Sequence, residues 1–159
     1  MKSETKLRKV IKHIILLTPN VVFFLVVLLA VLAPVLEYQR LEVSSKFYGI
    51  LHNICHQVPT RCLWIKTSNM ALCARCFFIY LALFVAGIFY FRYRIIRIYW
   101  KTAFILMIPC ILDGSSQYMQ LRLSNNILRS ITGTLGGVGI GMIFFPLYYK
   151  FVNFTLKRR

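Results

Sequence analysis

Residues 21–35 read VVFFLVVLLAVLAPV, an apolar run without a single charged residue. Extended from Ile14 to Leu36, it makes a helix of about 35 Å, enough to cross the ~30 Å hydrocarbon core of a bilayer with tilt. The whole chain of 159 residues is 58% hydrophobic, and its mean hydropathy is +0.67. A soluble domain of this size leaves much of its surface in water and cannot bury so much apolar material. The sequence therefore predicts an integral membrane protein.

Three more apolar segments follow, and the whole chain, residues 1–159, is predicted to form one all-α membrane domain. We expect four transmembrane helices, at about residues 14–36, 74–91, 98–119 and 127–151. The third segment has the weakest apolar character, because Asp113, Gly114, Ser115, Ser116 and Gln117 interrupt it near its end.

Basic residues flank these segments and predict their orientation. Lys and Arg number 20 against four acidic residues, a formal net charge of +16. Thirteen of them fall in the N-terminal tail, the link between spans two and three, and the C-terminal end, and seven fall on the other side. The positive-inside bias then places both termini in the cytoplasm of a multi-pass protein of the cell (inner) membrane. This scattered arrangement favours membrane lipids as partners and disfavours nucleic acid.

The long connection, residues 37–72, is then expected on the outer side. Within it Phe47, Ile50, Leu51 and Ile54 recur at the spacing of a short amphipathic helix, which Pro59 disfavours from Val58 onward.

Four of the five cysteines, Cys55, Cys62, Cys73 and Cys76, lie within 22 residues on that side. If the short helix continues to His56, then His52, Cys55 and His56 share one face. A Cys-x-x-Cys spacing lets both sulfurs reach one tetrahedral ion at about 2.3 Å. One hypothesis is therefore a metal site, with zinc as the metal. Its ligands would be Cys55, Cys73, Cys76 and His56, with His52 as the alternate nitrogen ligand.

Two other hypotheses stay open. A single stapling disulfide would leave the histidines without a role in chemistry. A thiol–disulfide site would pair Cys73 with Cys76 and Cys55 with Cys62, because disulfides persist outside the cytoplasm. In architecture this arrangement resembles the quinone-linked disulfide-forming membrane oxidoreductases. That resemblance implies electron transfer from the second cysteine pair to the first and on to quinone, with Arg75 as the neighbouring cation. Redox exchange needs no histidines, which favours the metal.

Polar residues at the end of span three and the start of span four are predicted to lie at the same membrane face. A carboxylate inside a span costs about 2.5–3.5 kcal/mol, so Asp113 needs a partner, with Arg129 the first candidate and Arg122 the second. Two interpretations remain: an interhelical clamp, or a pocket for an anionic ligand or lipid head group. The residues of this predicted pocket are Asp113, Gln117, Arg122, Asn125, Asn126 and Arg129.

Span four also carries a doubled G-x-x-x-G pattern at Gly133, Gly137 and Gly141. Small residues at this spacing let a second helix approach closely, either inside the bundle or across a homo-oligomer.

Several motifs stand in the order of one known family. They are Cys55-His56-Gln57 with Pro59 and Arg61, Cys73-Ala74-Arg75-Cys76 with Ile79-Tyr80, Asp113-Gly114 with Gln117, and Arg129 with Thr132-Gly133. Over roughly residues 50–141 the chain resembles small bacterial and archaeal predicted membrane proteins grouped as a domain of unknown function. The family brings no settled activity, so the resemblance implies a site and not a reaction.

The chain departs from that family at two places. Cys62 stands where the family pattern has Ser, which weakens the two-disulfide scheme, and Phe77-Phe78 replace Thr-Gly. The leading hypothesis is a binding or transport-related membrane protein with an exofacial zinc site of structural type beside a polar pocket. The alternative is a membrane thiol–disulfide oxidoreductase that uses Cys73 and Cys76 with quinone.

Overall fold

The structure is a computed structural model that describes residues 2–93, 99–119 and 125–157, with side chains for residues 10–93, 99–119 and 125–156. Helices form the four predicted apolar segments and part of the long connection. Their bounds are α1 Lys2–Tyr38, α2 Val43–His52, α3 Ala74–Tyr93, α4 Trp100–Tyr118 and α5 Asn126–Lys157.

Within these ranges three helices are long and apolar enough to cross a membrane: Val10–Tyr38, Ala74–Tyr93 and Asn126–Leu156. The predicted helical membrane class is confirmed. The 19-residue α4 falls short of the same standard, because Lys101 near its start and the polar run from Asp113 to Gln117 lower its hydropathy. A crossing by α4 and the inside–outside orientation stay predictions.

The outward face of α1 shows what surrounds the bundle. Val21, Val22 and Leu25 are 52%, 49% and 46% exposed. A row of bare aliphatic side chains along one helix is unfavourable in water and ordinary against lipid tails. These residues therefore face the bilayer.

Helix α5 is the centre of the bundle and packs against both α3 and α4. Its glycines permit close approach on two sides. A β-carbon on Gly133 or Gly137 would lie 2.6 Å from the carbonyl oxygen of Arg75 or Ile79 in α3, and one on Gly139 would lie 2.7 Å from the carbonyl oxygen of Ala103 in α4. The G-x-x-x-G pattern thus forms an internal seam, and its role in a homo-oligomer stays a prediction.

Part of the long connection is a β-hairpin, which corrects the all-α prediction. Strand β1, Cys62–Ile65, pairs antiparallel with β2, Ser68–Cys73, and the register places Cys62 opposite Cys73. Lys66 adopts a positive φ of 56° in the two-residue turn. An irregularity in the register between Cys62 and Trp64 breaks the usual alternation of side chains, so Cys62 is buried whereas Trp64, two residues further on, is 59% exposed. We call α2 and this hairpin the cap.

The cap packs on the end of α1. Met70, Ala71 and Leu72 of β2 and Leu51 of α2 are buried together with Ala30 and Ala33 of α1. The predicted apolar stripe of α2 is only partly buried, since Leu51 is 1% exposed whereas Ile50 is 57% exposed.

The opposite end of the bundle joins the start of α1 to the ends of α3 and α5. The Tyr148 hydroxyl donates to the carbonyl oxygen of Ile15 over 2.9 Å. The His13 ring packs edge-on to Phe91 with ring centroids 4.9 Å apart. The bundle therefore has a cap end and a remote end.

Candidate metal centre and adjoining polar layer

Three cysteines meet where the cap joins α3. Cys55 follows α2, Cys73 ends β2, and Cys76 lies in the first turn of α3. Their sulfur atoms all lie within 4.8 Å of one another. The Cys73 backbone N–H also donates to Cys55 Sγ over 3.2 Å, which fixes the loop after α2 against the end of the hairpin. This cysteine cluster can hold a metal ion.

Hydrogen bonds make Cys55 the most acidic of the three thiols in the cluster. Its sulfur accepts hydrogen bonds from the thiols of Cys73 and Cys76, and these hold the pKa of Cys55 well below its usual range. The same bond to Cys55 raises the pKa of Cys73. A thiolate is the form of cysteine that binds a metal ion. Within the cluster, Cys55 is thus the sulfur whose thiolate form is most favoured.

The two predicted histidine ligands lie outside this group. Helix α2 ends at His52, the N–H groups of Ile54 and Cys55 both bond to the Leu51 carbonyl oxygen, and Gln57 has a positive φ of 52°. The expectation that His52, Cys55 and His56 share a helix face is therefore wrong, because the chain turns directly after the helix. Both imidazoles are exposed.

Cys62 is buried but lies outside the group of three. Its thiol donates to the carbonyl oxygen of Val58 over 3.3 Å. Burial raises the pKa of Cys62 to about 11. The disulfide scheme that pairs Cys55 with Cys62 gains no support, because Cys55 lies with Cys73 and Cys76.

Buried polar side chains next to the cluster connect α3, α4 and α5. Asp113 of α4, 4% exposed, forms an ion pair with Arg75 of α3. Arg129 of α5, 6% exposed, donates from Nε and Nη2 to Gln117 Oε1 over 3.2 and 3.0 Å. The expected pairing of Asp113 with Arg129 is thus corrected, because Arg75 reaches the carboxylate from the neighbouring helix.

This polar layer continues into the cap. Arg129 Nη1 donates to Asn126 Oδ1 over 3.0 Å, and Asn126 Nδ2 donates to the carbonyl oxygen of Cys62 over 3.1 Å. Asn125 Oδ1 accepts the N–H of Leu128 over 2.7 Å and so caps the start of α5. Arg122, another predicted member of the pocket, lies outside the described residues.

Sequence reasoning missed two members of the layer. The sequence suggests Arg75 only as a cation beside thiolates, although it pairs with Asp113 and its Nε is buried without a hydrogen-bond partner in the described part of the chain. Thr132 donates to the Leu128 carbonyl oxygen over 2.9 Å and lies 3.4 Å from Asp113 Oδ2. The available signal was that a carboxylate inside a bundle requires a cation at the same depth, and Arg75 opens α3 at that depth.

The fold and the site define a helical integral membrane protein with a three-cysteine cluster, next to a buried polar layer, that can hold a metal ion. Residues 55–143 match the family described as predicted membrane protein DUF2085, and the chain belongs to that family. The matched segment contains the cysteine cluster and the polar layer. The protein is accordingly a multi-pass protein of the cell membrane.

Two archaeal relatives extend the comparison. An uncharacterized protein of Methanocaldococcus jannaschii is 35% identical over 119 residues, which cover 72% of this chain and 76% of the relative. An uncharacterized protein of Methanothermobacter thermautotrophicus is 34% identical over 94 residues, which cover 57% of this chain and 83% of the relative. No solved structure matches the chain.

Proposed function

We propose that this protein holds a structural zinc ion at the extracytoplasmic face of the membrane, beside a polar layer that binds an anionic ligand. The observation that carries the proposal is the approach of three sulfurs, one from the loop after α2 and two from the junction of β2 and α3, to within 4.8 Å of one another. On this proposal the ion fastens the cap to the first turn of α3.

The donor set suits zinc. Sulfurs bound to one tetrahedral zinc ion at about 2.3 Å lie roughly 3.8 Å apart, so the cluster needs only small side-chain rotations to close around the ion. Soft thiolate ligands select zinc over magnesium or calcium. His56 follows Cys55 directly and is exposed, so its ring can turn inward as the fourth ligand, with His52 as the alternate.

Charge balance supports the same assignment. A zinc ion with three thiolates carries one net negative charge, and Asp113 adds a second. Arg75 and Arg129, both in the polar layer, supply two positive charges. With zinc bound these groups sum to zero, as is usual for charges that a protein buries together.

The proposed orientation places the cap outside and α4 across the membrane. The basic residues of the tail and of the link between α3 and α4 favour the cytoplasm for the remote end. Helix α3 ends at the remote end, and Asn126 at the start of α5 bonds to the cap. Helix α4 must therefore return the chain from one face to the other, which supports a fourth crossing.

The anionic ligand is expected at the rim of the polar layer. Arg61 is exposed directly before β1 and lies near enough to Arg129 for their positive charges to repel each other. The Arg75 side chain is 21% exposed. With the inner charges balanced, Arg61 makes this rim positive. A phosphate group, free or in a lipid head group, is the chemistry that such arginines recognise. A transport-related role would use the same site.

The zinc proposal is tested by elemental analysis of protein purified in detergent without chelator. We expect one zinc per chain and five titratable thiols after denaturation. Cys76→Ser should lose the metal, whereas Cys110→Ser, a matched change in α4 away from the cluster, should keep it. Chain without metal and with one or three free thiols would instead indicate disulfides, as in the thiol–disulfide oxidoreductase alternative, and would overturn the proposal.

The anion site has a separate test. Binding of inorganic phosphate and of solubilised phosphatidylglycerol is followed by thermal stabilisation, and the two arms separate a soluble anion from a head group. Arg61→Gln should weaken binding about fivefold, the value of one exposed cation, while the exposed Lys46→Gln in α2 should not. Equal binding by both variants would refute the anion site and leave the zinc site untouched.

A further inference from the structure

A large cavity lies at the remote end of the bundle, away from the cysteine cluster. It has a volume of about 1040 Å³ and is lined by residues of α1, α3 and α5. Its floor is formed in part by Asn20, Gly87 and Tyr90. Gly87 leaves space for the Asn20 side chain, because a β-carbon at this position would collide with Asn20 Oδ1.

Two polar atoms in the wall of this cavity are unsatisfied. Asn20 Oδ1 and the Tyr90 hydroxyl are buried and have no hydrogen-bond partner among the described residues. Each such atom costs about 1–3 kcal/mol in a protein interior. Both belong to residues that line the same cavity, so rotation of the two side chains towards the cavity would let one ligand satisfy both atoms.

The rest of the cavity wall is basic near the start of α1 and apolar further along that helix. Lys12, His13 and Arg92 contribute to the wall, and no acidic residue is among the lining residues in the described part of the chain. Eight residues separate Lys12 from Asn20, which is about 12 Å along the helix axis. Between these levels Leu16, Leu17 and other apolar side chains of α3 and α5 form the wall.

We propose that this cavity is a binding site for one anionic phospholipid. The phosphate group binds to the ends of the long Lys12 and Arg92 side chains, and the ester groups of the glycerol backbone lie deeper. Rotation of the Tyr90 and Asn20 side chains out of the wall brings the hydroxyl and the amide, which carries both a donor and an acceptor, to these esters. An acyl chain continues along Leu17, which is 37% exposed at the lipid-facing surface of α1. A soluble anion would leave these apolar walls unused. The site is independent of the zinc proposal.

Native mass spectrometry of the full chain in detergent tests the proposal, with phosphatidylglycerol and the zwitterionic phosphatidylcholine as probes. We expect a retained phosphatidylglycerol molecule and much less retained phosphatidylcholine. The pair Lys12→Gln and Arg92→Gln should weaken phosphatidylglycerol binding about 30-fold, since each cation near a lipid surface is worth about fivefold. Lys101→Gln, an exposed basic residue of α4 outside the cavity, is the matched control.

A variant that fills the cavity distinguishes lipid binding inside it from simple attraction of the lipid to a basic surface. Leu17→Trp keeps every charge but occupies the cavity, so it should abolish the bound lipid. Asn20→Leu removes a buried unsatisfied atom, so it should raise thermal stability in lipid-free detergent while it lowers phosphatidylglycerol affinity. The proposal is overturned if Leu17→Trp binds like the wild type, if phosphatidylcholine binds equally, or if inorganic phosphate alone saturates the site.

Discussion

The α3–α5 seam at Gly133 supports a quantitative prediction for Gly133→Ala. The added β-carbon would lie 2.6 Å from the Arg75 carbonyl oxygen, 3.2 Å from its Cα and 3.3 Å from its carbonyl carbon. Ordinary contact begins near 3.4 Å, so α5 must retreat from α3 by about 0.8 Å, the difference between these two distances. All three contacts are backbone atoms, and no rotamer change relieves them.

Overpacking of this kind costs about 1–3 kcal/mol, or roughly 5- to 150-fold in the unfolding equilibrium. The same retreat would shift Arg75, which carries the ion pair to Asp113 and stands between two cysteines of the cluster. Gly133→Ala should therefore lower both the unfolding free energy, measured by denaturant titration in detergent, and the zinc content.

Gly49→Ala is the matched control. Gly49 lies in α2, and a β-carbon there would have nothing within 4 Å. Alanine is the better helix former by up to about 1 kcal/mol, so this variant should equal or exceed the wild type in stability. If Gly133→Ala unfolds at the same denaturant concentration as Gly49→Ala, the close approach of α3 and α5 is wrong.

Three further predictions concern the polar layer and the cap. Asp113→Asn leaves Arg75 without its counter-charge in a largely buried site and should cost about 3 kcal/mol, seen as a lower melting temperature; an unchanged value would contradict the ion pair. Arg129→Lys cannot make the forked contact with Gln117 and should cost about 1–2 kcal/mol by the same assay, whereas wild-type stability would show that the fork contributes nothing. Cys62 is neutral in the fold because burial raises its pKa from 9.0 to about 11. The protonated Cys62 thiol therefore contributes fully to stability below pH 9, and this contribution is lost as the pH rises towards 11. Between pH 9 and 11 the unfolding free energy of Cys62→Ala should fall less steeply than that of the wild type.

The helices were predictable because the bilayer imposes a length and a polarity that the sequence must show. The apolar run around Val21 shows that length and polarity within one segment. The glycines of α5 likewise indicate close helix packing by their spacing alone. The hairpin was harder to foresee, because residues 62–73 are short, partly buried, and held by contacts with α1 and α2 that no local pattern reports. β-Propensity is weak evidence until the covering face is known.

The sequence predicts that the cysteines of the site meet, but it does not predict which side chains pair within the site. Cys55, Cys73 and Cys76 meet because the loop after α2 folds onto the first turn of α3. The helix-face argument for His52 and His56 failed because the chain leaves the helix at His52. Which cation would meet Asp113 depended on helix rotation, and rotation is set by packing at the glycine seam rather than by spacing along one helix.

The central position of α5 has a consequence for assembly during synthesis. Helices α3 and α4 each pack against α5. Since α5 is the last of the four long helices to leave the ribosome, α3 and α4 enter the membrane without their main packing surface. Until it arrives, the ion pair between Arg75 and Asp113 is the strongest described tie between α3 and α4. In a nascent chain stalled before residue 126, α3 and α4 should therefore pack only loosely against each other, and the chain should be cleaved readily by membrane proteases.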